Sequence, residues 1–350
     1  MKVIVSGGGT GGHFFPALEI LKKAQRQGLE TLYVGTSRGI ECQYREAIPG
    51  DKLFLNTLPF RGSPFTGKLL ALKNFTLASF RLLSRISCQD KVLLLGGYGS
   101  VPAGLVSLFK RAKLYIHEQN SVPSSTNRVF FPFSYKVFIT FEHSRRFFRG
   151  KEVIKTGLPV REELLRDRVT DTVAKERLAF DSREPVVLFM GGSQGAVFIN
   201  KLAVEFAKRT GLQVLLISGK KHYEETKLSA EGLGNIKVFP FREDMGLIYS
   251  CADVCVCRAG AGTITELSLF GVPALFIPYP YATGDHQYYN AKEIEELGGG
   301  LVLRQENATP EQVVSKVEHI IGRRESMSNS IKSFAKEEAN SLIIDEITQD

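Results

Sequence analysis

Three times in this chain a short apolar run ends in a knot of glycines and then passes into a helical pattern. Residues 1–20, MKVIVSGGGTGGHFFPALEI, are the first case: Val3 to Val5, then five glycines in six positions broken by Thr10, then His13. The others are KVLLLGGYGSVPAGL, with Gly96, Gly97 and Gly99, and PVVLFMGGSQGAVFIN, with Gly191, Gly192 and Gly195. Strand, glycine turn and helix form the opening unit of an open parallel sheet. Glycine reaches positive φ and lets another molecule come close to the main chain. The helix that follows points free N–H groups and a partial positive charge over the turn. The pattern predicts an α/β fold and a phosphate or pyrophosphate guest.

Gly7, Gly9 and Gly12 also satisfy G-x-G-x-x-G, the dinucleotide fingerprint. Its companion is an acid near the end of the second strand, to hold a ribose. The segment LETLYVGTSRG ends instead in Gly35, Thr36 and Ser37, with no acid directly after Val34. Arg38 offers a partner for an NADP 2′-phosphate, so an NADP-binding reductase stays open as a weakened alternative.

Strand-like and helix-like segments alternate along all 350 residues, enough for two α/β domains. Strands read at 2–6, 31–35, 92–95, 113–117, 136–139 and 153–155. A second series reads at 185–190, 213–218, 236–239, 253–257 and 274–277, with a hinge near Thr156–Arg161. The expected fold is therefore two doubly wound parallel sheets, with ligands beyond the carboxyl ends of their strands.

The net charge of +8 hides a division: +14 over residues 1–160 and −6 over 161–350. A basic half predicts an anionic partner. Aromatic and basic residues do not interleave as in a nucleic-acid-binding motif, so no nucleic acid is expected. Residues 58–86, LPFRGSPFTGKLLALKNFTLASFRLLSRI, carry no acid. Leu69, Leu70, Leu72, Phe75, Leu77, Phe80, Leu82 and Leu83 alternate there with Lys68, Lys73, Arg81 and Arg85. This is either an interfacial surface for anionic lipid or a packed helix with a solvated basic face. No uncharged apolar run reaches 18 residues, and no signal peptide is read. The five cysteines lack C-x-x-C spacing and suit a reducing cytoplasm, with Cys251, Cys255 and Cys257 as buried hydrophobes.

Three further clusters carry chemistry. In CRAGAGTITELSLFG, Gly260, Gly262 and Thr263 open a helix, and Glu266 is expected in its first turn. There it is either a dipole partner or a carboxylate for both hydroxyls of a ribose. TGDHQYYNA offers His286, Gln287 and Asn290; side-chain amides both donate and accept, which suits sugar hydroxyls. YIHEQNSVPSSTNRV sets His117, Glu118, Gln119 and Asn120 at a strand's carboxyl end, where they are expected to face the ligand, with His and Glu handling protons. No cysteine–histidine metal spacing and no D-x-D pair occurs. A diphosphate leaving group would then rely on glycine-loop amides, helix dipoles and cationic side chains.

Taken in order, GGGTGGHFFPA, GGYGSVPAG, HEQNSVPSSTNR, TGLPVR, GGSQGA, FREDM, RAGAGTITEL and DHQYYNA resemble the bacterial MurG-type transferases over residues 7 to about 300. That family moves N-acetylglucosamine from UDP-N-acetylglucosamine to the undecaprenyl-diphosphate-linked muramoyl pentapeptide, lipid I, giving the peptidoglycan precursor lipid II. The resemblance implies the GT-B fold, two Rossmann-like domains facing across a cleft. Residues 1–160 would face acceptor and membrane, 161–334 would bind the nucleotide sugar, and a helix at about 335–350 would pack back on the first domain. It implies a metal-independent, inverting enzyme without a cofactor, peripheral on the cytoplasmic face of the membrane. Carried over by motif, the donor contacts are Thr10, Gly11, Gly12, Asn120, Arg161, Ser193, Gln194, the run Ala261, Gly262, Thr263, Ile264, Thr265 and Glu266, and Gln287. Arg242 stands where the family reads uracil through main-chain atoms. Leu158 replaces the family's usual asparagine, and Val197 a common arginine.

Such a reaction needs a base for the acceptor hydroxyl. His13 is the first candidate, at a helix amino end where the dipole disfavours imidazolium. Glu118 is the second, as base or as orienting group. A UDP-sugar transferase with another lipid acceptor, such as a diacylglycerol, and a UDP-N-acetylglucosamine epimerase are the rival readings; the segment 58–86 favours a lipid acceptor over the epimerase.

Overall fold

The computed structural model describes the backbone of residues 1–58, 65–192 and 195–349, and their side chains except those of 65–69. The chain divides into two compact units, residues 1–161 with the segment from Lys336 onward, and residues 162–335.

In the first unit the strands are β1 (Lys2–Ser6), β2 (Glu30–Thr36), β3 (Asp51–Leu55), β4 (Lys91–Leu94), β5 (Lys113–Glu118), β6 (Lys136–Ile139) and β7 (Glu152–Lys155). They form a parallel sheet in the order β3-β2-β1-β4-β5-β6-β7. Helices α1 (Gly11–Arg26), α2 (Phe65–Leu82), α3 (Val101–Lys110) and α4 (Ser125–Phe130) cover it. Both faces are buried, which is why the strands read as continuous apolar runs. Ile4, Val34, Leu94 and Ile116 pack toward Leu82 and Val106. Val3, Val5, Leu93 and Phe138 pack on the opposite face against Phe14, Leu18 and Leu21 of α1.

The second unit holds β8 (Val186–Met190), β9 (Gln213–Ile217), β10 (Ile236–Phe239), β11 (Val254–Cys257), β12 (Ala274–Phe276) and β13 (Gly300–Val302). These too are parallel, in the order β10-β9-β8-β11-β12-β13. Its helices are α5 (Glu162–Arg166), α6 (Asp171–Arg177), α7 (Val197–Arg209), α8 (Tyr223–Ser229), α9 (Met245–Cys251), α10 (Ala261–Phe270), α11 (His286–Glu296), α12 (Pro310–Gly322) and α13 (Arg324–Lys332). Cys251, Cys255 and Cys257 are free and buried in this core, whereas Cys42 and Cys88 are free and exposed. The last helix, α14 (Ala339–Thr348), returns to the first unit. There Ile343, Ile344 and Ile347 join the α1 face of the core, and Glu346 pairs with Lys136 at 2.9 Å.

Two strands escape the sequence pattern, β3 and β13, and each lies at a sheet edge. β3 is a five-residue strand that opens on Asp51 and Lys52, and β13 is three residues that follow Gly298 and Gly299. An edge strand is held by one neighbour and needs no unbroken apolar run.

The strand order explains the glycines. In the first sheet it reverses between β1 and β4, and in the second between β8 and β11. The four glycine clusters follow these four strands. Each sheet thus carries two glycine turns at its topological switch point, where open α/β sheets bind ligands.

Candidate active site

In the first unit α1 starts at Gly11, with Thr10 in extended conformation as its N-cap. The Thr10 side chain does not cap the helix; its Oγ1 lies 2.8 Å from His13 Nδ1. No acidic residue stands in the first turn, so α1 itself supplies nothing to neutralise its positive end. Among the described residues no acceptor meets the amides of Thr10, Gly11 and Gly12, whereas those of His13 and Phe14 are bonded to Thr10 O. When His13 Nδ1–H donates to Thr10, Nε2 holds the lone pair that a base requires. The β4 turn closes against this one: a Cβ on Gly97 would stand 3.0 Å from Gly8 O and 3.7 Å from His13 Nδ1. Gly97 has φ 77°, so only glycine fits there without strain.

The strand end at β5 differs from expectation. His117, Glu118 and Gln119 are buried and do not face a ligand; Asn120 alone is half-buried. His117 Nε2–H donates to Gly157 O at 2.9 Å. The Glu118 carboxylate accepts from Asn120 N and Ser124 N, both at 3.0 Å, and from Asn127 Nδ2 at 2.7 Å. Burial of both oxygens under these donors makes Glu118 the organiser of the loop that presents Asn120, and keeps it from acting on a bound acceptor. Asn127, which also donates to His117 O, belongs to this network.

Burial pushes the Glu118 carboxyl up to about 7, against the pull of the Asn120, Ser124 and Asn127 hydrogen bonds. Burial likewise pushes the His117 imidazole down to about 4, against its bond to Gly157. The raised Glu118 contributes stability that is present below 4.5, its ordinary value, and is lost as pH rises through about 7. The lowered His117 contributes stability present above 6.5 and lost as pH falls through about 4. The two oppose each other in the overlap. Glu118→Gln should therefore abolish the decline of stability toward pH 7 and leave a steep loss as pH falls from 6.5 toward 4. Urea midpoints measured at intervals across that range check this; parallel curves for wild type and variant refute it.

Arg161 is half-buried, with its guanidinium 5.6 Å from the ring centroid of Phe15 on α1. Leu158, where the family's asparagine usually stands, is buried.

In the second unit, after β8, Gly195 N donates to Gly192 O at 2.9 Å. Gly195 has φ 73°, and a Cβ there would collide with Ser218 O. Ser193 and Gln194 lie outside the described residues. Val197 opens α7 and is exposed. After β11, Gly260 is the N-cap of α10. The run from Ala261 to Glu266 is not one continuous contact surface. Ala261, Gly262 and Thr263 form the open end, while Ile264 donates its amide to Gly260 O at 3.0 Å. The side chains of Ile264 and Thr265 are buried, so they face the core and not a ligand. Glu266 stands in the second turn of α10, beyond the first, which contains no acid. Its Oε2 accepts the phenol of Tyr249 at 2.7 Å. Tyr249 is buried on α9, and burial together with the Glu266 charge raises its pKa well above the ordinary value.

Gln287 Oε1 accepts from Tyr279 N at 2.9 Å and Ala259 N at 3.3 Å, tying the β11 and β12 turns together. Among the described residues no acceptor meets its Nε2. Asn290, also read as a sugar contact, is buried with Nδ2 on Ala259 O at 3.1 Å, and so supports the turn from beneath. His286 Nδ1 pairs with Thr283 O at 3.0 Å. The Arg242 side chain is engaged with Asp244, Nε to Oδ1 at 2.7 Å.

Sequence reasoning missed Glu41 and Tyr249. Glu41 is buried, and Gly9 N donates to both of its oxygens, at 3.1 and 3.0 Å. Its Oε1 also accepts Thr36 N at 2.8 Å. The acid absent directly after β2 thus arrives later, beyond Gly39, and turns back on the glycine turn. Tyr249 sits in an apolar helical segment and had no signal beyond its spacing.

Two parallel-sheet units with glycine turns at both switch points are the architecture of a GT-B glycosyltransferase, and the comparisons define the class. Residues 3–139 match the glycosyltransferase family 28 N-terminal domain, and 186–346 match the family 28 C-terminal domain. The UDP-N-acetylglucosamine–N-acetylmuramyl-(pentapeptide) pyrophosphoryl-undecaprenol N-acetylglucosamine transferase of Aquifex aeolicus is 45% identical over 351 residues, covering 99% of each chain. The enzyme of that name from a Sulfurihydrogenibium species is 34% identical, over 100% of this chain and 98% of its own. The Acinetobacter baumannii MurG crystal structure superposes with a TM-score of 0.81 at 28% identity, over 100% of this chain and 99% of that one. The chain belongs to this MurG family of N-acetylglucosamine transferases. A UDP-N-acetylglucosamine 2-epimerase from Neisseria meningitidis matches with a TM-score of 0.70 but 13% identity, over the full length of both chains, and so shares the fold alone.

Proposed function

We propose that this enzyme transfers N-acetylglucosamine from UDP-N-acetylglucosamine to the N-acetylmuramyl-(pentapeptide) pyrophosphoryl-undecaprenol acceptor, lipid I, with inversion at C1. The muramyl hydroxyl oxygen forms a bond to C1 as the bond from C1 to the diphosphate breaks, and UDP leaves with the electron pair. His13 Nε2 takes the hydroxyl proton. The observation that carries this reading is that each switch point pairs an open helix end with one functional side chain: His13 at α1, Glu266 at α10. Full-length relatives of that activity support it.

In this reading the amides of Thr10, Gly11 and Gly12 and the side chain of Asn120 meet the donor from the first unit, with Arg161 beside α1. The second unit binds the nucleotide: Ala261, Gly262 and Thr263 offer amides to the diphosphate, Glu266 takes the ribose hydroxyls, and Gln287 Nε2 meets the sugar. Ser193 and Gln194 join them by motif, and Arg242 by its main chain. Incubation with labelled UDP-N-acetylglucosamine and lipid I is the test. Label appearing in a lipid-extractable product supports the reading; label confined to UDP-sugar or free sugar refutes it.

We infer further that the α2–α3 face of the first unit meets the anionic cytoplasmic surface of the membrane, peripherally. No described helix is long and apolar enough to cross a bilayer. Instead α2 buries one stripe, Ala71, Phe75, Ala78 and Leu82, and still exposes Leu70, Leu72, Leu77 and Phe80. Leu105 and Phe109 of α3 are exposed as well, Phe109 to 75%. Lys73, Arg81 and Arg85 are exposed on α2 or just beyond it, Arg85 lying 3.2 Å from Asp51, while the Lys68 side chain lies outside the described residues. A helix with merely a solvated basic face would not carry these large apolar side chains outward. Changing Lys68, Lys73, Arg81 and Arg85 together to Gln should weaken co-sedimentation with anionic vesicles, each charge contributing about 1 kcal/mol, and added salt should weaken the wild type likewise. Co-sedimentation equal to wild type would refute membrane contact through this face.

A further inference from the structure

The first glycine turn contains an anion of its own. In a dinucleotide fingerprint the second glycine lets the main chain approach the pyrophosphate. Here that residue is Gly9, and its N–H points at both oxygens of Glu41. Thr36 N, at the end of β2, donates to the same carboxylate. The space is built for it: a Cβ on Gly8 or on Gly39 would collide with the Glu41 carboxyl. The Tyr33 phenol, which donates to Gly7 O at 2.6 Å, has its pKa raised by burial and then by the Glu41 charge. A buried side chain whose carboxyl lies against two glycines and takes two backbone donors does what a bound phosphate oxygen would do.

We propose that Glu41 is an internal anion that occupies the phosphate position at Gly9, closes that amide to external phosphate, and so admits a ligand's oxygen atoms only on the amides of Thr10, Gly11 and Gly12, beside His13. Glu41 is thus a specificity-determining and positioning residue. It explains why a chain with G-x-G-x-x-G is not a dinucleotide site: a pyrophosphate in that register meets a carboxylate. It also holds the turn in shape with no ligand bound. The positioning half rests on the transferase reading; the occupancy half does not.

The test is calorimetric titration of the full-length protein with inorganic pyrophosphate, which needs no turnover. Glu41→Ala frees the Gly9 and Thr36 amides and removes the repelling charge, so pyrophosphate should bind at least about tenfold tighter than to wild type. Formate, small enough for the vacated space, should compete with it and should restore part of the transfer rate saturably. Glu41→Gln keeps the volume, so it should bind pyrophosphate about threefold tighter, the lost charge alone, and should gain nothing from formate. A cooperatively melting Glu41→Ala that binds pyrophosphate no tighter than wild type overturns the proposal. If the alanine variant does not fold, an unchanged pyrophosphate affinity in Glu41→Gln overturns it instead. Failure of label to reach lipid in the wild type would sink the transferase reading while leaving this titration decisive.

Discussion

His13→Ala should lower turnover by about 10²–10⁴-fold while leaving the affinity for UDP-N-acetylglucosamine within about twofold of wild type. The imidazole sits in the first turn of α1 with Nδ1 2.8 Å from Thr10 Oγ1, and Nε2 is the atom proposed to take the acceptor's proton. A base that must be neutral loses activity when it is protonated, so the wild-type rate should fall on the acid side and the variant should lack that limb. Steady-state rates across pH, at saturating donor, check both statements. Preserved turnover with weakened acceptor affinity would make His13 a ligand of the acceptor diphosphate. Glu118 does not then inherit the role of base, because it is buried beneath three hydrogen-bond donors.

Glu266→Ala should raise the Michaelis constant for the nucleotide sugar by about 10–100-fold and change kcat only a few-fold. Hydrogen bonds from ribose hydroxyls to a carboxylate are worth about 1.5–3 kcal/mol, and they exist before and during the transition state, which is the signature of uniform binding. The Tyr249 phenol, 2.7 Å from Oε2, fixes the carboxylate's orientation. Tyr249→Phe should shift the same constant in the same direction by less, and should add nothing in a Glu266→Ala background. Donor titrations on the two single variants and the double variant decide this. A donor constant within about twofold of wild type in Glu266→Ala removes the ribose role.

The α/β class, the two series of parallel strands and the importance of the glycine turns were legible because each is a local property. A strand buried on both faces must be apolar throughout, and a turn that approaches a ligand must be glycine, whatever the rest of the chain does. The strands β3 and β13 were not legible: β3 opens on Asp51 and Lys52, β13 is three residues behind Gly298 and Gly299, and their edge positions tolerate such weak patterns. The MurG-family motifs were legible for the same local reason as the turns: each is a short run with its own chemistry.

Burial and hydrogen-bond direction were decided by the tertiary structure alone. HEQN reads as four polar groups for a ligand, yet His117 and Glu118 turn inward, because Gly157, Ser124 and Asn127 come from other segments to satisfy them. Glu266 moves from the first to the second turn of its helix, because α10 begins at Ala261 and only the folded chain sets that boundary. Glu41 looks like an ordinary acid in GTSRGIECQ, and only the return of the segment after β2 brings its carboxylate onto Gly9. Local sequence determines which residues form turns, strands and an open helix end. Which charges are withdrawn from solvent, and which amides are already spoken for, depends on partners distant in the chain, and no local pattern encodes them.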